Sequence, residues 1–246
     1  MKIGVLKAGP MVPALVPRHG NYIDMFTRLL GGPGVTLFEV DVDGGAPLPE
    51  VGAANAWLVT GSRYGVYDDL PWIAPLKTFL RTAFEARVPL IGVCFGHQLI
   101  AEALGGRAEK FSGGWSLGAT AYSSVRDLPE WAATIAGEWT ALAVHQDQVT
   151  QLPPDTRVLA TEPQCAAAAL LYGPEDAPRA LTVQPHPEFS AELVADLIEA
   201  RLADVVPADR VAAARDTLAR PLSNAAWARV MLGFLDAAVR RPSTAA

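Results

Sequence analysis

Apolar residues along the chain fall into short runs that alternate with stretches of helical spacing. Residues 3–6 make a first apolar run. Tyr22, Ile23, Phe26, Leu29 and Leu30 then recur at intervals of three and four, as one face of a helix requires, and stop at Gly31-Gly32, a helix-ending pair. Residues 35–42 read as a second strand and residues 56–60 as a third, fully apolar one. Trp72, Leu76, Phe79, Leu80 and Ala83 share the face of a helix running from position 71 or 72 to 86, with Pro71 suited to its first turn. Residues 89–93 form another short apolar strand, followed by a helix over 97–104 closed by Gly105-Gly106.

Strand-helix-strand units repeated in this way predict an α/β architecture of three layers, a mostly parallel central sheet with helices on both faces. Between 119 and 183 the apolar runs shorten and are separated by Pro, Gly and Asp, which predicts additional strands, some antiparallel. From Ser190 the spacing is helical again, with breaks at Pro207 and Pro221, and about three helices are expected to pack on the sheet. No repeat or low-complexity linker interrupts the chain. Residues 1–246 are therefore expected to form a single domain, with about 190–246 as a C-terminal helical extension.

Composition narrows the function classes. Half of the residues are hydrophobic and 19% are charged, with a net charge of −6 and no run of lysines or arginines. A surface of that sign repels phosphate backbones, so neither nucleic acid nor an anionic membrane is an expected partner. No stretch approaches the roughly 18 apolar residues of a membrane span, and the apolar N-terminus reaches Lys7 too soon for a signal peptide. The two cysteines, Cys94 and Cys165, make no disulfide framework, which suits a reducing, cytoplasmic compartment. Four histidines and two cysteines without ligand-like spacing predict neither a metal site nor a cofactor.

The chemistry is concentrated at Gly92-Val93-Cys94-Phe95-Gly96-His97-Gln98, where an apolar strand runs directly into Gly-x-Cys-x-Gly and a helix. The same pattern with serine is the nucleophile elbow, a sharp strand-to-helix turn that projects the nucleophile beyond the sheet. Its glycines are needed because side chains there would clash. The following helix directs its positive end at the sulfur. A small buried cysteine ending a core strand would show the same local pattern. Cys165, in a run of alanines without a glycine turn, reads as such a residue.

A thiol nucleophile needs a base, and the base an orienting partner. His186 stands in Gln184-Pro185-His186-Pro187-Glu188-Phe189, just after an apolar strand, with prolines holding the backbone extended. In an extended segment Glu188 projects to the same side as His186 and can accept its N–H. His145, in Val144-His145-Gln146-Asp147, lacks that setting and ranks below His186.

At these residues the chain resembles the class I glutamine amidotransferases, which have a flavodoxin-like fold. It is most like the glutaminase domain of GMP synthetase and its stand-alone relatives, including γ-glutamyl peptidases. The elbow, the Pro-His-Pro-Glu segment, Thr60-Gly61-Ser62 and Val144-His145-Gln146-Asp147 carry the resemblance, in the family's order, over roughly the first 190 residues. It implies Cys94 as nucleophile, His186 as acid and base, and Glu188 as orienter. It further implies an oxyanion hole from the backbone N–H groups of Phe95 and Ser62, and glutamine contacts at Gly61, Gln98, Gln146 and Asp147. Many relatives carry Gly-Gly-Pro where this chain has Gly61-Ser62-Arg63; backbone donation survives a serine.

The activity so implied is hydrolysis of the glutamine side-chain amide through a γ-glutamyl thioester, with ammonia passing to a separate synthetase subunit. No phosphate-binding loop accompanies it; Ser112-Gly113-Gly114-Trp115-Ser116 lacks the acidic residue and preceding strand of an ATP loop. The alternatives are a free-standing γ-glutamyl peptidase and, in another class, a non-catalytic binding domain of the same fold, which would be expected to have lost the triad.

Overall fold

The computed structural model describes residues 1–239. In chain order its strands and helices are β1 (Lys2–Lys7), α1 (Val16–His19), α2 (Tyr22–Leu30), β2 (Thr36–Asp41), β3 (Ala56–Val59), α3 (Ile73–Glu85), β4 (Leu90–Val93), α4 (Phe95–Ala103), β5 (Arg107–Lys110), β6 (Ser116–Ser124), β7 (Glu138–His145), β8 (Asp147–Gln151), β9 (Thr156–Glu162), β10 (Cys165–Tyr172), β11 (Ala180–Val183), α5 (Ala191–Ala200), α6 (Ala208–Thr217) and α7 (Asn224–Val239).

Nine strands form one sheet in the order β2-β1-β3-β4-β11-β10-β9-β6-β7. The first five are parallel, and from β11 outward each pairing is antiparallel. β5 and β8 pair separately as a small antiparallel ribbon that packs against α4.

Strand periodicity explains the three layers. Successive side chains point to opposite faces, and the parallel strands bury both. In β3, Ala56 and Leu58 join one core while Trp57 and Val59 join the other. Ile91 and Val93 of β4 likewise lie opposite Leu90. The first core is covered by α2, α5, α6 and α7, with Phe26, Trp227 and Phe234 fully buried. The second is covered by α3 and α4, with Leu80, Leu99 and Ile100. Residue-scale choices support each helix start: Asn21 and Asp24 form a reciprocal capping box at α2, and Ser190 caps α5 by accepting from Leu193 N–H.

The three expected C-terminal helices are α5, α6 and α7; positions 240–246 of the expected extension lie outside the described residues. No helix among the described residues is long and apolar enough to cross a membrane.

Candidate active site

The turn from β4 into α4 is built from steric necessity. Cys94 has φ 52° and ψ −103°, a conformation that side chains rarely adopt. A Cβ on Gly92 would sit 2.5 Å from the Gly96 carbonyl oxygen, and one on Gly96 would sit 2.3 Å from that of Val59. Only glycine fits either position. The strand-to-helix turn is therefore so tight that α4 begins at Phe95, two residues earlier than its pattern suggests, with Cys94 in the capping position. Cys94 N–H is held by the Val183 carbonyl at 2.9 Å, tying the elbow to the neighbouring strand.

The first backbone hydrogen bond of α4 runs from Gln98 N–H to the Cys94 carbonyl. Phe95 N–H, one residue past the sulfur, is thus left without an intrahelical acceptor, as at any helix start. Across from it, Thr60-Gly61-Ser62 leaves the end of β3, and no protein acceptor among the described residues takes Ser62 N–H. The Ser62 hydroxyl is turned away: it accepts from Tyr64 N–H at 3.2 Å and lies where a Cβ on Gly9 would be, at 2.7 Å. Gly61 makes room for the imidazole, since a Cβ there would meet His186 Cε1 at 2.7 Å.

His186 follows β11 and pairs with β7 through its N–H to the Leu142 carbonyl, 2.8 Å. Its Nδ1 lies 2.7 Å from Glu188 Oε1, with both side chains almost completely buried. The sequence pattern leads to this pair by an extended backbone; the chain instead turns at Pro187-Glu188, with Phe189 N–H bonded back to the His186 carbonyl. The contact is the same, made by a turn. Phe189, which follows Glu188, stacks on His186 with ring centroids 4.0 Å apart and 5° between planes, and Tyr22 stacks behind it at 6.4 Å.

Burial would push the His186 pKa down, but the Glu188 carboxylate and the Cys94 sulfur, by charge and hydrogen bonding, raise it to about 10. His186 is consequently an imidazolium at neutral pH. His145, which also reaches the cavity, behaves oppositely. Burial and then the neighbouring His186 hold it near 3, so at neutral pH it is a neutral imidazole and not an acid. His97 is likewise held near 3 by burial and bonds Thr182 at 2.7 Å, away from the cavity. Cys165 sits buried in β10 with its thiol raised to about 12 by burial.

Cys94, His186 and Ser62 open on a cavity of about 390 Å³, with Gln98, Gln146 and Asp147 on its wall. Gln98 is buried and its amide nitrogen is engaged, donating to the Asp147 carbonyl at 2.8 Å and to Gln184 Oε1 at 3.1 Å. Its side-chain oxygen remains as an acceptor. Gln146 donates to the Phe111 carbonyl, and Asp147 Oδ2 accepts from Tyr67 at 2.8 Å. Burial and that carboxylate together raise the Tyr67 phenol to about 12. Phe95 contributes only backbone here: its ring lies in the opposite core, 5.6 Å from Trp72.

Other cavity residues have no signature in the sequence. Met11, Trp115, Leu197, Arg201 and Leu202 come from loops and from the C-terminal helices. Tyr22 is legible only as one apolar position of a helical face. Phe189, Val144 and His145 stand inside recognised motifs.

The family profile for glutamine amidotransferase class-I matches residues 65–202. The chain belongs to the class-I glutamine amidotransferase family. Among relatives, gamma-glutamyl peptidase 4 of Arabidopsis thaliana is 29% identical over 192 residues, covering 75% of this chain and 74% of that protein. A GMP synthase (glutamine-hydrolyzing) of Thermus thermophilus is 34% identical over 175 residues, covering 69% of this chain but 32% of the synthase. The solved structure of a glutamine amidotransferase from Thermotoga maritima superposes with a TM-score of 0.75 at 17% identity, over 98% of this chain and 99% of that one, and so shares the fold. In this class-I amidotransferase-family chain, Ser62, Cys94 and His186 each follow the C-terminal end of one of the adjacent parallel strands β3, β4 and β11.

Proposed function

We propose that this amidotransferase-family protein hydrolyses a γ-glutamyl amide bond with Cys94 as nucleophile, His186 as acid and base, and Glu188 as the carboxylate that orients His186. The observation that carries the reading is the buried 2.7 Å His186–Glu188 contact beside a cysteine held at positive φ. The Cys94 thiolate attacks the γ-carbonyl carbon, and the carbonyl electron pair moves to oxygen. Phe95 and Ser62 N–H groups donate to that oxyanion; donors of this kind supply about 10²–10³ in rate each. The His186 imidazolium gives its proton to the departing nitrogen, leaving a γ-glutamyl thioester and a neutral imidazole. The imidazole then takes a proton from water, the hydroxide adds to the thioester, and collapse releases glutamate and the thiolate. To Val144, Gln146 and Asp147, which line the cavity, we assign the α-amino and α-carboxylate end of the substrate, as the family resemblance implies.

Two leaving groups fit this chemistry. With glutamine, the nitrogen departs as ammonia, and a separate synthetase subunit would accept it; the likeness to 32% of the length of a glutamine-hydrolyzing GMP synthase supports that reading. With a γ-glutamyl compound a substituted amine departs and no partner is needed. The gamma-glutamyl peptidase relative, matched along three quarters of its own length, supports this second reading. Cytoplasmic location is part of the same proposal.

The test is glutamate and ammonia release from glutamine, γ-glutamyl dipeptides and glutathione conjugates by the wild type and by Cys94→Ala. Cleavage that disappears in the variant is the expected result. Cleavage that Cys94→Ala retains overturns the mechanism, and absence of cleavage of any compound in the panel leaves a subunit that awaits its synthetase or a non-catalytic domain.

A further inference from the structure

The cavity lining is of two unlike kinds. Tyr67, Gln146 and Asp147 bring hydroxyl, amide and carboxylate groups to it. Met11, Phe189, Leu197 and Leu202, all buried members of the first core, make it apolar elsewhere, and Trp115 packs against the same core. Arg201, at the end of α5, also lines the cavity.

Arg201 makes no ion pair with a carboxylate among the described residues, and neither do Arg63, which engages Tyr64, and Lys110, the other arginine and the lysine on the lining. Among the described residues no carboxylate, carbonyl or ring engages the Arg201 guanidinium. It lies close enough to the reactive centre to act electrostatically on Tyr22, whose phenol also feels Cys94 and Glu188. The loop that presents Trp115 is braced, with Arg210 of α6 donating to the Gly113 carbonyl at 3.1 Å.

Ammonia has no use for such a lining. An apolar surface beside the scissile bond gains only when the departing amine carries apolar atoms to cover it. An unpaired guanidinium gains when that amine also carries a carboxylate, which it can bind in bidentate fashion. Resting on the γ-glutamyl amide reading above, we infer that Met11, Trp115, Leu197, Leu202 and Arg201 form a leaving-group subsite for γ-glutamyl dipeptides whose second residue is apolar and ends in a free carboxylate. The C-terminal helices thereby serve the active site directly, completing the part of the cavity that selects the amine.

Three compounds separate the contributions: γ-glutamyl-leucine, γ-glutamyl-glycine, and γ-glutamyl-isopentylamide, which is the leucine compound without its carboxylate. For the wild type, kcat/KM is expected to be about tenfold or more higher for γ-glutamyl-leucine than for either of the others, and higher than for glutamine. In Arg201→Ala the leucine-to-isopentylamide ratio should collapse towards one, through KM, while Arg201→Lys retains much of it. Melting curves of both variants report folding independently. A ratio unchanged in Arg201→Ala, a wild type indifferent to the carboxylate, or glutamine outcompeting every dipeptide would each overturn the subsite and leave the bond reading standing. If the wild type cleaves none of the compounds, or if Cys94→Ala cleaves them, the underlying reading falls and the subsite falls with it.

Discussion

At Cys94 the backbone adopts a conformation costing on the order of 1–3 kcal/mol, and it persists because Val183 holds its N–H and glycines at 92 and 96 admit the close approach that a Cβ would block. The imidazole beside it is governed by charge. Glu188 is the strongest influence raising His186, against a burial effect that alone would lower it. Glu188→Gln keeps the shape and an acceptor but removes that charge. We expect kcat/KM to fall by about 10²–10⁴-fold. The alkaline limb of the pH profile should also move to lower pH from near 10, because His186 must be protonated to donate to the leaving nitrogen and is lost as pH rises through its pKa. Steady-state rates from neutral pH to just above that limb would report both, and an unmoved limb would assign it to a different group.

Among the elements, α4 is the most constrained. Its second residue, Gly96, lies against backbone of β3, so the helix approaches the sheet as closely as a glycine allows. Gly96→Ala must displace either α4 or β3, since the obstructing atom is the Val59 carbonyl oxygen and not a side chain that can rotate away. Overpacking of this kind costs roughly 1–3 kcal/mol, and for a chain of this size that lowers the melting temperature by about 2–4 °C per kcal/mol. Activity should fall more steeply than stability, because the displaced helix carries the Phe95 N–H. Differential scanning calorimetry alongside the glutamate-release assay would separate the two, and a variant melting like wild type would refute the close approach.

Over the whole molecule, three buried histidines set opposing pH dependences. His97 and His145 are held near 3, so they stay neutral in the fold while the unfolded chain takes up protons below about 6.5. Their contribution is complete above about 6.5 and is lost as pH falls from there towards 3. His186, raised to about 10, contributes fully below 6.5 and loses its contribution as pH rises towards 10. Urea midpoints at about pH 4.5, 6.5 and 9 should therefore be highest at the middle value. His97→Asn should flatten the acid side by up to about 1.4 kcal/mol per pH unit, and an unchanged acid slope would clear His97 of that role. The C-terminal helices share the first core with β1, β3 and β4, and we propose that the chain unfolds as one domain. Tryptophan fluorescence and far-ultraviolet circular dichroism should give coincident urea transitions, whereas two separated transitions would divide the chain.

Much of this protein is written in patterns of short range. Gly92 beside Cys94 is legible because its sterics act against Gly96, four residues on, although Gly96 itself is demanded by the Val59 carbonyl of β3; His186 with Glu188 is legible because only two positions separate them. Strands and helices of the parallel half are legible because periods of 2 and 3.6 arise from backbone geometry alone. The route by which Glu188 reaches His186 is not, since the turn at Pro187 depends on His186 being bridged to β7, some forty residues earlier in the chain. Nor is the start of α4 at Phe95, since the close approach of Gly96 to the Val59 carbonyl of β3 shows only in the folded chain. Met11, Trp115, Leu197 and Arg201 meet around one cavity only after the antiparallel strands and the last helices have packed against the sheet. Local sterics and periodicity thus make the residues of the proposed triad legible, while their approach to one another and the rest of the cavity lining are decided by long-range packing, which no spacing along the chain encodes.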